Sequence, residues 1–198
     1  DGQQRTLSIC QYLNGDFSRD DRDSLVITAH PLSSYIIFED QFWDFAESEI
    51  TVRGRNVQID DFAISCADQS IHMDGGFSTV SQDTLSVSLN NFDLGIVDNF
   101  FVKHSGIRGR ASGKAFIKSP TSEGFAMLMN LGCDSLSVNG TDAGSVRLAS
   151  MWDDESDKFN IFLSNPLNGR EALYAHADYY PATKAAEASV SFDNFNLA

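Results

Sequence analysis

The stretch Asp74–Leu94, DGGFSTVSQDTLSVSLNNFDL, sets a pattern that the rest of the chain repeats. It runs from an aromatic residue through a polar turn and an alternating strand to an Asn-Phe-Asp-Leu ending. Tyr180–Leu197 repeats this order 103 residues downstream of Phe77–Leu94, and Gly15–Leu32 repeats its aromatic, turn and strand 60 residues upstream. Recurrence of one strand–turn–strand unit indicates a modular sheet that is extended unit by unit.

Alternation of apolar and polar residues continues on both sides of this stretch. It is clearest in Leu85–Leu89, Phe125–Leu131 and Phe159–Leu163, and turn-rich segments such as Arg53–Asn56 and Asn139–Asp142 separate such runs. A period of two is typical of β-strands, and short connections favour antiparallel hairpins because parallel crossovers need many more residues. The sequence therefore predicts an all-β chain with about a dozen strands.

Three stretches depart from this alternation. Residues 36–45 and 94–101 carry apolar residues at roughly helical spacing, which predicts short helices or irregular caps. The Gly-rich run 105–113 is predicted to be a flexible crossover, with a true linker as the alternative. We therefore divide the chain into two repeated sheet segments, 1–104 and 105–198, and expect the sheet to continue from the first to the second.

One face of these strands is apolar and the other is rich in Ser, Thr, Asn, Asp and Gln, as in Leu85–Leu89. One wet and one apolar face is common in antiparallel sheets, and the apolar face must be withdrawn from water. Two sheets packed as a sandwich, a closed barrel and one long sheet curled into a trough all satisfy this requirement. Periodicity does not choose among them.

The charge balance limits the partners of the chain. Its 198 residues include 28 acidic and 14 basic residues, for a net charge of −14. No basic stripe is present to neutralise phosphates, so we expect no nucleic-acid partner. The same charge opposes electrostatic docking on an anionic lipid surface.

Catalytic and metal-binding patterns are missing from the sequence. The three cysteines, Cys10, Cys66 and Cys133, form no CxxC pair, and we expect them to be buried thiols. The four histidines lack ligand spacing, and the acidic runs Asp20–Asp23 and Asp153–Asp157 lack the spacing of a calcium loop. We therefore predict that the chain is no enzyme and has no catalytic residues, metal site or cofactor.

The second half of the chain carries an ordered set of Gly, Pro, aromatic and turn residues. These are Gly106, Gly109, Ser112-Gly113, Pro120, Gly124, Gly144-Ser145-Val146, Ser150–Asp153, Tyr179-Tyr180-Pro181 and Phe192–Phe195. In this order Ser105–Ala198 resembles the TamB proteins of the AsmA-like superfamily, above all those of the Bacteroidetes branch. Val52–Leu94 follows the same family's pattern more loosely.

The resemblance implies a long antiparallel sheet curled into an open, taco-like trough with an apolar inner face. Proteins of this family cross the periplasm of Gram-negative bacteria from an inner-membrane helix. They are linked to phospholipid passage toward the outer membrane and to protein assembly there with a TamA-type or BamA-type β-barrel partner. Because the chain starts at Asp1 without Met, we expect a periplasmic fragment of a longer protein, with its anchor and partner-docking regions elsewhere.

A trough of this kind has room for lipid tails. A dozen strands about 4.8 Å apart would run about 55 Å, whereas one acyl chain spans about 15 Å, half of a bilayer core. Thirteen apolar residues are the candidate lining: Val57, Ile59, Ile64, Leu85, Val87, Leu89, Val146, Leu148, Phe159, Ile161, Leu163, Val190 and Phe192. The alternative is that these side chains fill an ordinary closed core.

The sequence also supports two further hypotheses. One is a β-sandwich module that binds glycan or protein, with Trp43, Trp152, Tyr179 and Tyr180 as a sugar platform. The other concerns the stretches Asp23-Ser24-Leu25, Asp83-Thr84-Leu85 and Asp134-Ser135-Leu136. These resemble the O-glycosylation acceptor motif of exported Bacteroidetes proteins, although an Asp that ends a turn before a strand is the simpler explanation.

Overall fold

The computed structural model describes residues 7–10, 12–21, 24–32, 34–38, 41–78, 83–96, 106–118, 126–167 and 170–192. Fifteen strands account for most of them. The strands are β1 (Leu7–Cys10), β2 (Leu13–Arg19), β3 (Leu25–Pro31), β4 (Ser34–Phe38), β5 (Gln41–Phe45), β6 (Glu49–Arg53), β7 (Asn56–Cys66), β8 (Gln69–Phe77), β9 (Thr84–Asp93), β10 (Ile107–Lys118), β11 (Ala126–Val138), β12 (Thr141–Asp153), β13 (Lys158–Leu167), β14 (Arg170–Tyr180) and β15 (Ala185–Phe192).

All fifteen strands belong to one antiparallel sheet that is not closed. From β7 onward each strand pairs with the next in sequence, through to β15. On the edge of β7 away from β8 there are two neighbours, one beside each half of the strand. The first half of β7 pairs with β6 and the second half with β5. The β6 branch continues to β3 and β2, and the β5 branch to β4 and β1. The prediction of an all-β fold built on one long antiparallel sheet is confirmed.

Contacts along the chain divide it into two compact units. Unit 1 comprises residues 1–89 and 117–125, and unit 2 comprises residues 90–116 and 126–198. The division passes through β9 and β10, so both strands contribute to both units. The segment boundary after residue 104 stays a prediction.

An extra residue in β7 keeps the apolar side chains of unit 1 on one face. Ile59 pairs with Gly75 and Phe62 pairs with Met73, so Asp60 and Asp61 together lie opposite one residue of β8. A strict period of two would turn Phe62 to the polar face, because a shift of one residue exchanges the faces. The β-bulge restores its phase.

A left-handed residue before an apolar one recurs at two further places, and at one of them the strand register shows a second bulge. Asp61, Asn91 and Ser135 all have positive φ, at 54°, 47° and 53°, and each precedes an apolar residue that follows the previous one by three positions. In unit 2 the bulge lies between Cys133 and Leu136, opposite β12. The bulges therefore explain why the apolar residues stay on one face of the sheet although their alternation in the sequence shifts by one residue.

Substitutions at Ser135 test how much the left-handed backbone of the bulge costs in stability. A β-branched residue adopts a left-handed conformation poorly, so Ser135→Val is expected to lower the free energy of unfolding by about 1–2 kcal/mol. Ser135→Gly should leave it unchanged or raise it, since glycine adopts positive φ readily. Urea denaturation measures both. As a control, Ser164→Val in regular strand β13 should have little effect, and an equal loss there would contradict the explanation.

Two expectations about irregular segments are wrong. Residues 36–38 belong to β4 and residues 41–45 form β5, rather than a helical cap. Both faces of this hairpin are apolar: Ile36 pairs with Trp43 on one face, while the Tyr35 and Phe42 rings stack 4.6 Å apart on the other. Because both faces are apolar, the sequence of this hairpin lacks the apolar–polar alternation of a half-buried strand. The Gly-rich run is also no crossover where it is described, because β10 covers Ile107–Lys118.

Residues 94–96 are helical, and Asp93 Oδ1 accepts a hydrogen bond from the Gly95 backbone N–H at 2.8 Å. This is the side-chain cap expected at the start of a helix. The remainder of the predicted cap, with Val97 and Phe101, lies outside the described residues. The predicted turns at 53–56 and 139–142 are confirmed: Arg53 pairs with Asn56, and Val138 pairs with Thr141 across Asn139-Gly140.

Gly113 in β10 allows the backbones of β10 and β11 to approach closely. A Cβ atom on Gly113, which has φ of +148°, would collide with the carbonyl oxygen of Asn130 on β11 and come within 2.8 Å of the Leu131 Cα. Both obstacles are backbone atoms, so they cannot move aside as a flexible side chain would. The glycines of the run 105–113 thus favour tight strand packing at this point.

Gly113→Ala is therefore expected to reduce the free energy of unfolding by about 1–3 kcal/mol through overpacking. Gly132→Ala is the matched control on the adjacent strand, because its Cβ would meet only the Ser112 carbonyl oxygen at 3.9 Å. Thermal and urea unfolding of both variants provide the measurement. Equal stability of the two variants would rule out the collision at Gly113.

Candidate functional site

Strand register defines the apolar face of unit 2. Across β12, β13 and β14, the row Leu148–Leu163–Ala175 and the row Ser150–Ile161–Ala177 lie on the same side of the sheet. Pairing with β15 continues these rows to Val190 and Ala188. On β11, Leu131 lies opposite Leu148 and extends the face in the other direction. We call this side of the sheet the unit 2 apolar face.

Exposure rises along this face toward the last strand. Val146 on β12 and Phe159 on β13 are each only 5% exposed, whereas Val190 on β15 is 55% exposed. Leu148 and Ile161 are half-buried. All described strands belong to one sheet, so no separate second sheet covers the apolar side chains. The face is therefore partly accessible, and its accessibility is greatest at β15.

Aromatic residues mark one end of the unit 2 apolar face. Trp152, Phe159 and Tyr179 form a row across β12, β13 and β14. The Trp152 and Phe159 rings meet edge to face with centroids 4.7 Å apart, and the Phe159 and Tyr179 rings are stacked at 6.5 Å. The acidic turn Asp153–Asp157 begins directly beyond this row. The row thus borders apolar surface on one side and charged residues on the other.

Two polar side chains are buried on the same face, and both are hydrogen-bonded. The Ser150 hydroxyl donates to the Met127 carbonyl oxygen at 3.5 Å, and the Asn165 side-chain amide donates to the Ala143 carbonyl oxygen. A buried polar group with a partner avoids most of the cost of desolvation. These two residues therefore do not disrupt the apolar character of the face.

Unit 1 has an apolar face of its own. Val52 pairs with Val57, and Ile50 pairs with Ile59, so these four side chains lie on one side of β6 and β7. Beyond the bulge, Ile64 pairs with Ile71 on this side. Through β3 the face reaches the outer strand β2, where Leu13 and Phe17 are 58% and 76% exposed. We call it the unit 1 apolar face.

The structure places the predicted lining residues of each unit together. Val57, Ile59 and Ile64 share the unit 1 apolar face, and alternation in β9 puts Leu85, Val87 and Leu89 on one face of that strand, all half-buried. Six predicted residues of unit 2 share its apolar face by register: Val146, Leu148, Phe159, Ile161, Leu163 and Val190. Phe192 pairs with Leu173 in the backbone, and its side chain lies outside the described residues. Their contact with lipid stays a prediction.

Sequence reasoning omitted several members of these faces. Phe62 and Leu136, which each follow a bulge that shifts the alternation by one position, are not among the predicted lining residues. Ala175 and Ala177 were missed because alanine gives only a weak alternation signal. A spacing of three between apolar residues, with Asp, Asn or Ser before the second, was the available signal for the bulges.

Ion pairs lie on the opposite, polar face. In unit 2 the Lys158 ammonium donates to Asp178 Oδ2 at 2.8 Å, and this hydrogen bond raises the pKa of Lys158. His176 Nε2 lies 3.2 Å from Asp178 Oδ1, and its ring stacks on Phe162 with centroids 4.9 Å apart. In unit 1 His72 Nε2 lies 3.4 Å from Asp61 Oδ1. Away from the β4–β5 hairpin, the two faces of each unit therefore differ in polarity.

The described thiols form no disulfide. Cys66 and Cys133 are free and half-buried, and the Cys10 side chain lies outside the described residues. Burial, and then the neighbouring Asp134 carboxylate, raise the pKa of the Cys133 thiol. Because the thiolate is the nucleophile, a raised pKa lowers the reactivity of this cysteine at neutral pH.

The described residues hold no group of three or more His, Cys, Asp or Glu side chains placed to bind a metal ion. In the same part of the chain, no helix has the length and apolar character needed to span a membrane. A shallow hollow of about 340 Å³ lies in unit 1 and brings Arg53 together with the carboxylates Glu49, Asp60 and Asp83. Its mixed charges are those of an ordinary polar sheet face.

The predicted sugar platform is not assembled as expected. Trp43 is only 5% exposed and lies in the interior of unit 1. Trp152 is half-buried against Phe159, while Tyr179 is 37% exposed. In addition, the strands form one sheet rather than the two sheets of a sandwich. The aromatic residues therefore serve mainly as packing.

The hydroxyl groups of the three Asp-Ser/Thr-Leu stretches differ in accessibility. Thr84 and Ser135 are exposed, and Ser24 is half-buried. Ser24 donates its backbone N–H to Asp20 Oδ1 at 2.9 Å, which is a turn contact. Glycosylation of these residues stays a prediction.

Comparison with known proteins identifies no relative: no family model, no curated protein and no solved structure matches this chain.

The burial of each residue on the unit 2 apolar face predicts how much it contributes to the stability of the fold. Phe159→Ala is expected to lower the free energy of unfolding by about 3–5 kcal/mol, as for other buried Phe side chains. Val190→Ala should cost less than about 0.5 kcal/mol, because the side chain is already largely in water. Urea denaturation measures both. A large loss for Val190→Ala would show that this end of the face is covered in solution.

Proposed function

We propose that this chain is a segment of a bacterial envelope protein whose apolar faces carry phospholipid acyl chains. The observation that supports this most is the exposure gradient of the unit 2 apolar face, from buried Phe159 to Val190 at 55% exposure. The apolar face of an antiparallel sheet normally packs against a second layer. Here the described strands form one sheet, which leaves apolar surface for another occupant.

The chemistry of the face suits a lipid tail. Its exposed members on β15, Ala186, Ala188 and Val190, are aliphatic or small. The buried polar groups Ser150 and Asn165 already have protein partners. Each methylene group that leaves water for such a surface contributes about 0.8 kcal/mol. Binding of this kind needs no directed polar contact, so it tolerates tails of different length and position.

Charge favours contact through the tail rather than the headgroup. The net charge of −14 repels the anionic phosphate groups of a membrane surface. It also keeps the polar face hydrated, as the largely exposed acidic turn Asp153–Asp157 illustrates. A carrier of this type would hold the acyl chain against its apolar face and leave the headgroup in water.

The resemblance of Ser105–Ala198 to TamB proteins supports the cellular setting of the proposal. It suggests a periplasmic location, a parent protein anchored in the inner membrane, and transfer of phospholipid toward the outer membrane. It also suggests assistance to outer-membrane protein assembly with a TamA-type or BamA-type partner, which would dock on other regions of the parent. The curling of the sheet into a trough is part of the same proposal.

Site-specific photo-crosslinking tests the proposal directly. A photoreactive residue at Ile161, on the unit 2 apolar face, is expected to form adducts with phospholipid when the chain is produced in a Gram-negative envelope. The same residue at Asn160, one position earlier on the polar face, is the matched control. Mass spectrometry of the purified chain detects the adducts, and lipid extraction from the unmodified chain should recover co-purified phospholipid.

The proposal requires a difference between these two positions. Phospholipid adducts at Ile161 but not at Asn160 would support it, because adjacent residues of a strand face opposite sides. No adduct at Ile161 together with no co-purified lipid would overturn it. Equal labelling at both positions would also count against it, since it would indicate nonspecific adsorption.

A further inference from the structure

We propose that the polar side of β10, β11 and β12 binds an extended segment of a partner protein that presents apolar side chains beside carboxylates. The proposal does not rest on lipid binding, because this side of the sheet is opposite the unit 2 apolar face. We call the surface the outer patch and define it by five exposed residues: Lys114, Phe116, Leu128, Arg147 and Met151.

Strand register places Leu128 and Met151 next to each other on the polar side. Met129 pairs with Ser150, which lies on the unit 2 apolar face. Successive side chains of a strand point to opposite faces, so the residues just beyond this pair, Leu128 and Met151, lie together on the other side. Arg147 lies on that side as well, because it precedes Met151 by four residues on β12.

β10 adds Lys114 and Phe116 to the same side. A Cβ atom on Gly113 would come within 2.9 Å of the Leu131 side chain, which belongs to the unit 2 apolar face. Phe116 follows Gly113 by three residues and therefore lies on the polar side, beside Leu128 in the antiparallel register. The burial pattern of β10 agrees, because Lys114 and Phe116 are exposed and their neighbours in sequence are not.

The apolar members of the outer patch form an exposed row across three strands. Phe116, Leu128 and Met151 are 41%, 54% and 51% exposed. Isolated exposed apolar residues are ordinary, but a contiguous group rimmed by polar residues marks an interaction surface. Phe, Met and Arg are also enriched in protein–protein interfaces. Each of the three strands has a neighbour on both edges, so the patch is a property of the sheet face and not of a terminal strand.

The outer patch is locally positive in a chain of net charge −14. Lys114 and Arg147 are exposed, and neither forms an ion pair with another described residue. β10 has no carboxylate. Each carboxylate of β11 and β12 accepts a local hydrogen bond: Asp134 from the Ser145 hydroxyl, Asp142 from the Gly144 backbone N–H and Asp153 from the Glu155 backbone N–H. Salt screens exposed charges beyond about 8 Å, so a bound segment senses mainly the two cations. Its carboxylates would complement them.

The size of the outer patch favours a polypeptide over a lipid or a nucleic acid. The apolar row crosses three strands about 4.8 Å apart and is about 10 Å long, whereas an acyl chain spans about 15 Å. Alternate side chains of an extended peptide are about 7 Å apart, so two of them fit the row. A nucleic acid binds through many neutralised phosphates, and the patch offers only two cations.

Fluorescence anisotropy of a labelled synthetic peptide measures binding to the full chain. The peptide carries Asp, Phe, Leu and Asp in this order, separated by single Ser residues, so that the four side chains lie on one side when it is extended. We expect a dissociation constant of roughly 100 µM, as for a small interface. Control peptides with Asn for Asp, or with Ser for Phe and Leu, should each bind about 5-fold more weakly or less.

Charge reversal on the chain tests the two cations. The double variant Lys114→Glu, Arg147→Glu should weaken peptide binding about 10-fold, because both attractions become repulsions. The matched control is Arg55→Glu, Lys184→Glu, which alters two exposed turn residues and gives the same net charge. This control should bind within about twofold of the unaltered chain, because distant charges are screened.

The apolar row has its own test, and folding is checked separately. Leu128→Gln, Met151→Gln should weaken peptide binding about 5-fold, because the partner's Phe and Leu lose their apolar contacts. All substituted side chains are exposed, so circular dichroism should show an unchanged fold. If charge reversal disturbs folding, the milder Lys114→Gln, Arg147→Gln should still weaken binding about 3-fold.

Three results would overturn the proposal. One is no peptide binding at about 1 mM, well above the expected dissociation constant. Another is equal weakening by the two charge-reversal variants, which would show that net charge and not the outer patch controls binding. The third is co-sedimentation of the chain with phosphatidylglycerol vesicles that is lost in Lys114→Glu, Arg147→Glu, since the occupant would then be a membrane surface.

Discussion

The structure depends on keeping the apolar side chains on one face of the sheet along its longest strands. β7 has eleven residues and β11 has thirteen. A single slip of phase in either strand would turn half of its apolar residues toward water. Bulges at Asp61 and Ser135, in left-handed conformation, absorb the slip. Their neighbours fix them: Asp74 accepts the Asp61 backbone N–H at 3.3 Å, and Asp134 accepts the Ser145 hydroxyl at 3.3 Å.

This phase control produces two chemically different faces in each unit. In unit 2 the apolar face collects Leu148, Ile161 and Phe159, while the polar face carries Lys158 and Asp178, which are paired at 2.8 Å. A sheet built in this way is stable where its apolar residues are buried and remains open to an occupant where they are not.

The exposure gradient connects this architecture with the proposed function. Full burial of Phe159 and Val146 secures the centre of the unit 2 apolar face, and high exposure of Val190 leaves its outer strand accessible. This exposure follows from β15 having a single neighbour among the described strands.

The sequence by itself determined the all-β class, most strands, the hairpin turns such as Asn139-Gly140, and the apolar identity of residues such as Ile59 and Leu148. These features depend on local chemistry: alternation with a period of two and turn residues that adopt positive φ. Only the tertiary structure decided that β4 and β5 pair as strands, that Ile107–Gly113 belongs to strand β10, and that β7 serves two branches. The branches join strands that are not consecutive in sequence, and bulges change the phase, so burial, exposure and these strand neighbours arise only when the sheet is assembled.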